Sequence, residues 1–278
     1  MLSFVSLLIS TNVQIYAHDV TVDDLSNMSN LSDNAIIITS ENEHMIGSNE
    51  YDAELNMTYS EVLNLYNDYI GTTISLNNID AENVSEDSLE GFLQYAIENG
   101  VIEDTTAEKA ALSKAFYRTQ FKAAVAAGNA LGYTTAADFL DHSLQDNPSS
   151  FICDSSTSYA SQILNSEEIQ SIISSFKASV SGTSLTTKNM SGSIALDSTT
   201  DLHLAYNNVD YVVFGAKTNG VWDVSVTITD TYDFKHEEWK NAMTDNAVVT
   251  MINNYAYDAQ QVGAIVPYTI RVTARTSF

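Results

Sequence analysis

Asp230, Tyr232 and Asp233 stand within four residues of one another, and His236, Glu237, Glu238 and Lys240 follow at once. Two carboxylates and a phenol at the mouth of a strand, with a basic residue a few positions on, could hold a divalent cation and set water against a phosphate ester. Carboxylate oxygens are hard ligands, so the metal held by Asp230 and Asp233 would be magnesium or calcium. Tyr232 would shape the site, and His236 or Lys240 would stabilise charge on the leaving group. The simpler reading, and the favoured one, makes Asp230 a turn former, Tyr232 and Phe234 core aromatics, and the charges solvated. Alternation along a strand sends Asp230, Tyr232 and Phe234 to one face and Thr231 and Asp233 to the other. A joint carboxylate site therefore requires the strand to twist, bulge or end between 230 and 233.

The standard catalytic patterns are absent: there is no G-x-S-x-G, no P-loop, no G-x-G-x-x-G after a strand, no H-E-x-x-H and no pair of cysteines. The five histidines, at 18, 44, 142, 203 and 236, are far apart in the chain, which offers no zinc-site spacing. Cys153 with His142 could be drawn as nucleophile and base, but a lone cysteine near a Pro-terminated helix reads first as a small buried hydrophobe.

The elements that must position these residues follow from periodicity. Thr58 precedes an apolar face of Val62, Leu63, Leu65, Tyr66, Tyr69 and Ile70, and Gly71 stops that helix; Ser85 to Asn99 repeats the scheme with Gly100 as the stop. Thr105 with Glu108 has capping-box spacing and opens a long Ala-rich helix to about Ala127, after which Gly128 and Gly132 loosen the chain. Thr135 with Asp138 starts a helix that Asn147-Pro148 ends, and two more helical stretches run near Tyr159 to Leu164 and from Ser166 through Phe176. The period then shifts to 2. Ser193 to Leu196, Val209 to Lys217 and Val221 to Thr229 carry β-branched and aromatic residues in alternation, and Asn219-Gly220, the strongest short hairpin signal, joins the last two. A helix from about Asn246 to Gln261 and a strand from Val266 to Ala274 complete the pattern. The expected fold class is α+β: a helical N-terminal half, then an antiparallel sheet with one packed C-terminal helix. The expected division is a signal peptide at 1–17, an acidic disordered segment at 18–54 with Ala35 to Ile38 as its one sticky spot, a helical region at 55–180 and an α+β domain at 181–278.

Composition bounds the function. Thirty-six acids against 11 basic residues leave a net charge of −25, and residues 1–108 hold 20 of the acids and none of the Lys or Arg. Such a surface repels phosphate backbones and anionic membranes, so nucleic-acid binding is disfavoured. No apolar run reaches the roughly 20 residues of a bilayer span, which argues against integral membrane association. The apolar stretch Leu2 to Ile9, followed by Ala17 and an abruptly polar segment, reads as a secretory signal without its positive n-region. A single cysteine suits a secreted or cell-surface protein of a Gram-positive-like bacterium that folds without disulfides.

Longer landmarks add to this. Leu131-Gly-Tyr133, Ala137-Asp-Phe-Leu140, His142 to Pro148, Asp201 to Tyr206, Val209-Asp-Tyr211, Trp222 to Val226, Asp230 to Phe234, Asn253 to Tyr257 and Gly263 to Tyr268 together resemble a module of unassigned function in secreted proteins of gut Firmicutes. That resemblance covers about residues 105–278 and implies location and architecture. Asp230-x-Tyr232-Asp233 alone is similar to the D-x-Y-D signature of colicin M-like bacteriocins, which cleave the lipid-linked peptidoglycan precursor with help from a divalent cation. That family carries a His-Arg pair several residues on; here those places fall near Trp239-Lys240, so Lys240 would replace the arginine and His236 would have to serve as the histidine. The favoured expectation is a non-catalytic secreted module that binds a cell-wall, glycan or protein partner. The alternatives are a toxin-like metal-dependent hydrolase of the lipid-linked precursor, and an acidic N-terminal region that is itself the working part as a calcium-responsive or spacer segment.

Overall fold

A computed structural model describes residues 36–41, 51–75, 86–235 and 247–278. The fold is α+β, as the periodicity predicts: eight helices and a six-stranded sheet among the described residues. The chain forms two compact units, and they are interleaved. The first draws on Gly47–Pro148 and Phe234–Val266; the second takes in Ser149–Asp233, Pro267–Phe278 and residues 36–41. The boundary expected near residue 180 marks where helices give way to strands, whereas the compact units exchange chain at 148, 233 and 266.

The first unit is helical. A short hairpin, β2 (Tyr51–Asp52) with β3 (Met57–Thr58), leads into α1 (Tyr59–Ile70). Thr58 and Glu61 form a capping box there, and Gly71 ends the helix at φ 67°. Helix α2 (Glu86–Glu98) and the long α3 (Thr106–Ala130) meet α1 through a ring cluster in which Tyr66, Phe92 and Phe116 lie 5.0–5.5 Å apart between centroids. Thr105 accepts from the Glu108 N–H, one half of the expected capping box, while the Glu108 carboxylate accepts from the Glu103 N–H instead of closing it.

Two local expectations are corrected here. Gly128 does not loosen the chain: α3 runs through it to Ala130, because a Cβ there would come within 3.3 Å of the Ala137 methyl, and the missing side chain admits α4 (Thr134–Ser143) at close range. That helix starts one residue before Thr135, with Tyr133 as N-cap and no side-chain cap bond, so Thr135 and Asp138 are not its capping pair. The last helix, α8 (Ala247–Gln261), belongs to this unit too. Its small residues Ala256 and Ala259 fit against Tyr117 and Phe121 of α3, and the Tyr255 ring packs tilted against Tyr117 with centroids 5.0 Å apart. Buried Arg118 fixes the chain just beyond α8, donating to the Ala264 carbonyl at 3.1 Å, the Gly263 carbonyl at 3.3 Å and the Asp146 carboxylate at 2.8 Å.

The second unit is built on the sheet, in the order β1 (Ile36–Ile38), β4 (Phe151–Cys153), β8 (Tyr268–Ser277), β7 (Val221–Tyr232), β6 (Asn208–Thr218) and β5 (Thr187–Ala195). From β8 to β5 every pairing is antiparallel. The sequence reading lacks the other two strands, β1 and β4, which pair in parallel and make the sheet mixed. So Ile36–Ile38 is a strand rather than part of a disordered segment, and its Ile38 is buried. The 1–17 stretch lies outside the described residues. The β6–β7 hairpin turns at Asn219 (φ 51°) and Gly220 (φ 90°), as the Asn-Gly signal requires. One face of the sheet is apolar: Phe151 and Cys153, Ile270, Val272 and Ala274, Trp222 through Ile228 at alternate positions, and Val213 are all buried. Helices α5 (Ser158–Asn165), α6 (Glu167–Val180) and α7 (Thr200–Ala205) supply the matching side chains, Tyr159 standing edge-on to Phe151 and Phe176 edge-on to Trp222. No helix among the described residues is long and apolar enough to cross a membrane.

Candidate functional site

Strand β7 stays in register to its end, pairing Asp230 with Ile270, Thr231 with Thr269 and Tyr232 with Tyr268, without a bulge. Opposed residues of an antiparallel pair share a face, so Asp230 and Tyr232 lie on the same side as the buried Ile270 and Tyr268. The Tyr232 and Tyr268 rings stack with centroids 5.4 Å apart and 32° between planes, and Tyr268 reaches Phe151 at 6.3 Å. Burial pushes the Tyr232 hydroxyl far above its ordinary titration range. Tyr268 and Tyr206 are raised first by burial and then by neighbours; Asp230 is among the groups acting on both. Such phenols stay protonated, which suits them to donate hydrogen bonds and unsuits them as bases. Asp201, also buried, accepts from Gln162 Nε2 at 2.8 Å, and Asp230 accepts from the Thr231 N–H at 2.8 Å.

The structure thus brings Asp230 and Tyr232 together, within the tyrosine-lined end of the sheet core. Asp233 falls one residue past the end of the strand, and His236 and Lys240 lie outside the described residues. Among the described residues no group of three or more His, Cys, Asp or Glu is placed to hold a metal ion. Cys153 is buried on the inner side of β4, while His142 belongs to the helical unit, where Gln145 Nε2 meets its Nδ1 at 3.0 Å.

The opposite side of the sheet is the surface that the sequence reading passed over. Register aligns Asn189, Phe214, Ser225 and Arg275 in one row across β5, β6, β7 and β8. The next row is Ser191, Val212, Thr227 and Thr273, in which the two threonine hydroxyls are hydrogen-bonded at 3.1 Å. A third runs Ser193, Asp210, Thr229 and Arg271, and reaches Ile152 and Ile37 on β4 and β1. With strands about 4.8 Å apart, each row spans some 15 Å of hydroxyl, amide and guanidinium groups held on rigid backbone. Phe214 is 49% exposed at its centre. The signal for this face was present as the alternation of Thr269, Arg271, Thr273 and Arg275 with Ile270, Val272 and Ala274, a polar line that only strand register turns into a surface.

No family model, no curated protein and no solved structure matches the chain.

Proposed function

We propose that the protein is a secreted or cell-surface module without catalysis, and that it binds a glycan on the open face of its sheet. The observation that carries this reading is the row Asn189, Phe214, Ser225 and Arg275, an exposed ring flanked by planar and hydroxyl hydrogen-bonding groups. A ring of this kind receives the C–H face of a pyranose, while amide, hydroxyl and guanidinium groups meet its hydroxyls; neither demands charge from the ligand. The packing of half-buried Tyr232 against buried Tyr268, with half-buried Asp230 on the same face, supports a structural role for the strand end. The apolar stretch at Leu2 to Ile9 supports export.

The test is co-sedimentation with insoluble cell-wall glycan from a Gram-positive bacterium. The protein should bind, and Phe214→Ala should weaken binding about fivefold, the loss of a stacking contact of about 1 kcal/mol. Equal binding by Phe214→Ala and by a further Arg275→Gln change would remove the open face from the account. Incubation with lipid-linked peptidoglycan precursor and magnesium or calcium should give no turnover. Turnover that Asp230→Asn and Asp233→Asn both abolish, at unchanged melting temperature, would replace the binding reading with the hydrolase.

A further inference from the structure

Among the described residues the sheet ends on one side in β5, nine residues long and in unbroken register with β6. Its hydrogen bonds can be phased. The Lys217 N–H donates to the Thr186 carbonyl at 2.7 Å, and the Leu196 N–H donates to the Asn207 carbonyl at 2.6 Å, so the even-numbered residues of β5 face β6. In an antiparallel ladder the alternate residues turn their N–H and C=O groups the other way, which assigns Thr187, Asn189, Ser191 and Ser193 to the outer edge. All four are exposed. The opposite edge, β1, is only three residues long.

Charge singles out the same edge. In a chain with 36 acids, β5 itself contains none and holds Lys188, Lys217 stands beside it near the end of β6, and the acid that reaches the edge among these strands is Asp210, which accepts from the Ser193 hydroxyl at the far end. Lys188 lies opposite Gly215, which places it diagonally beside Lys217 on one face, whereas Lys177, in the last turn of α6, sits 4.8 Å over the Phe278 ring and does not line this edge. An acidic strand laid along β5 would therefore meet lysines, whereas most of the remaining surface would repel it.

We propose that β5 is a strand-addition site for an acidic, extended segment of a partner protein. Main-chain hydrogen bonds from residues 187–193 would hold the added strand, and Lys188 and Lys217 would read its carboxylates. A second copy of this chain is the poorer occupant: edge-to-edge pairing brings two Lys188 side chains and two −25 chains together, the arrangement by which natural sheets avoid self-association. The proposal uses the main-chain edge of β5 and two lysines on the opposite face, whereas the glycan reading uses side chains of the open face; Asn189, Ser191 and Ser193 belong to both through different groups, and either reading can fail alone.

The probe is a fluorescent peptide of about ten residues alternating glutamate with threonine, compared with its lysine–threonine counterpart by anisotropy at low salt. The acidic peptide should bind, and the amides of Asn189, Ser191 and Ser193 should gain hydrogen-exchange protection. Ser191→Pro removes an outward donor and no ladder bond, so it should weaken binding at least about tenfold with the fold intact. The charge-reversed pair Lys188→Glu with Lys217→Glu gives a second readout that does not depend on that variant folding: it should abolish acidic-peptide binding and admit the basic peptide. Phe214→Ala should leave peptide binding unchanged. Absence of acidic-peptide binding, equal binding of both peptides, or edge protection that needs no peptide and follows a dimer in light scattering would each overturn the proposal.

Discussion

Gly215→Ala offers a sharp test of the sheet's packing. A Cβ at 215 would stand 2.6 Å from Phe176 Cζ, 2.9 Å from its Cε1 and 3.2 Å from Trp222 Cε3. Carbon atoms rest at about 3.5–4.0 Å, so the Phe176 ring must retreat by roughly 1 Å. It has little freedom to do so, being fully buried and edge-on to Trp222 at 5.9 Å and 87°. Overpacking of this kind costs about 1–3 kcal/mol, against a gain of about 0.4–1 kcal/mol from stiffening the unfolded chain. The net expectation is a loss of about 1–2 kcal/mol, or roughly 5–12 °C for a cooperative unit of about 100 residues. Gly192→Ala is the control. Its Cβ would meet the Tyr211 ring at 2.9–3.1 Å, but Tyr211 is only half-buried and can swing outward, so the two effects should nearly cancel. Urea titration followed by far-ultraviolet circular dichroism measures both, and Phe176→Leu in the Gly215→Ala background should restore part of the loss with a coupling above about 0.5 kcal/mol. A Gly215→Ala protein as stable as the parent, or one no worse than Gly192→Ala, would refute the packing argument.

Three further outcomes are expected. Gly220→Val should cost roughly 1 kcal/mol or more, because Gly220 holds φ 90°, and an unchanged denaturation midpoint would contradict the turn assignment. Arg118→Met should cost about 1–3 kcal/mol in the helical unit by leaving the Ala264 and Gly263 carbonyls without their donor, measured by urea unfolding. Burial pushes the Asp146 carboxyl up, but hydrogen bonds and charge from Lys114 and Arg118 outweigh this and hold it below its ordinary 3.8. Its contribution is therefore present above about pH 4 and lost as pH falls through the lowered value, and Asp146→Asn should flatten the stability–pH curve in that acid range.

Local chemistry made much of the fold legible. The caps at Thr58 and Thr105 and the Asn219-Gly220 turn each satisfy backbone groups with residues three or fewer positions away, so the short-range pattern sufficed. What escaped depends on distant partners. Ile36–Ile38 and Phe151–Cys153 are three-residue parallel strands whose hydrogen bonds come from more than a hundred residues away, and nothing in their own spacing marks them. The last helix was assigned to the sheet because it lies between strands in the sequence, yet the small faces of Ala256 and Ala259 complement Tyr117 and Phe121. The candidate site divides the same way. Asp230 and Tyr232 were found as a motif, but their place on the apolar face follows from pairing with Ile270 and Tyr268, and the open face exists only once four strands are in register.

The interleaving of the two units bears on how the chain is made. Strand β8 sits in the interior of the sheet, between β4 and β7, although it is the latest strand in sequence, and α8 supplies Ala256 and Ala259 to the helical core. A ribosome adding about 5–20 residues per second exposes most of both cores before either can close, so neither half can fold in the N-to-C order usual for tandem domains. Commitment to structure in such a chain waits for residues 254–277 to emerge.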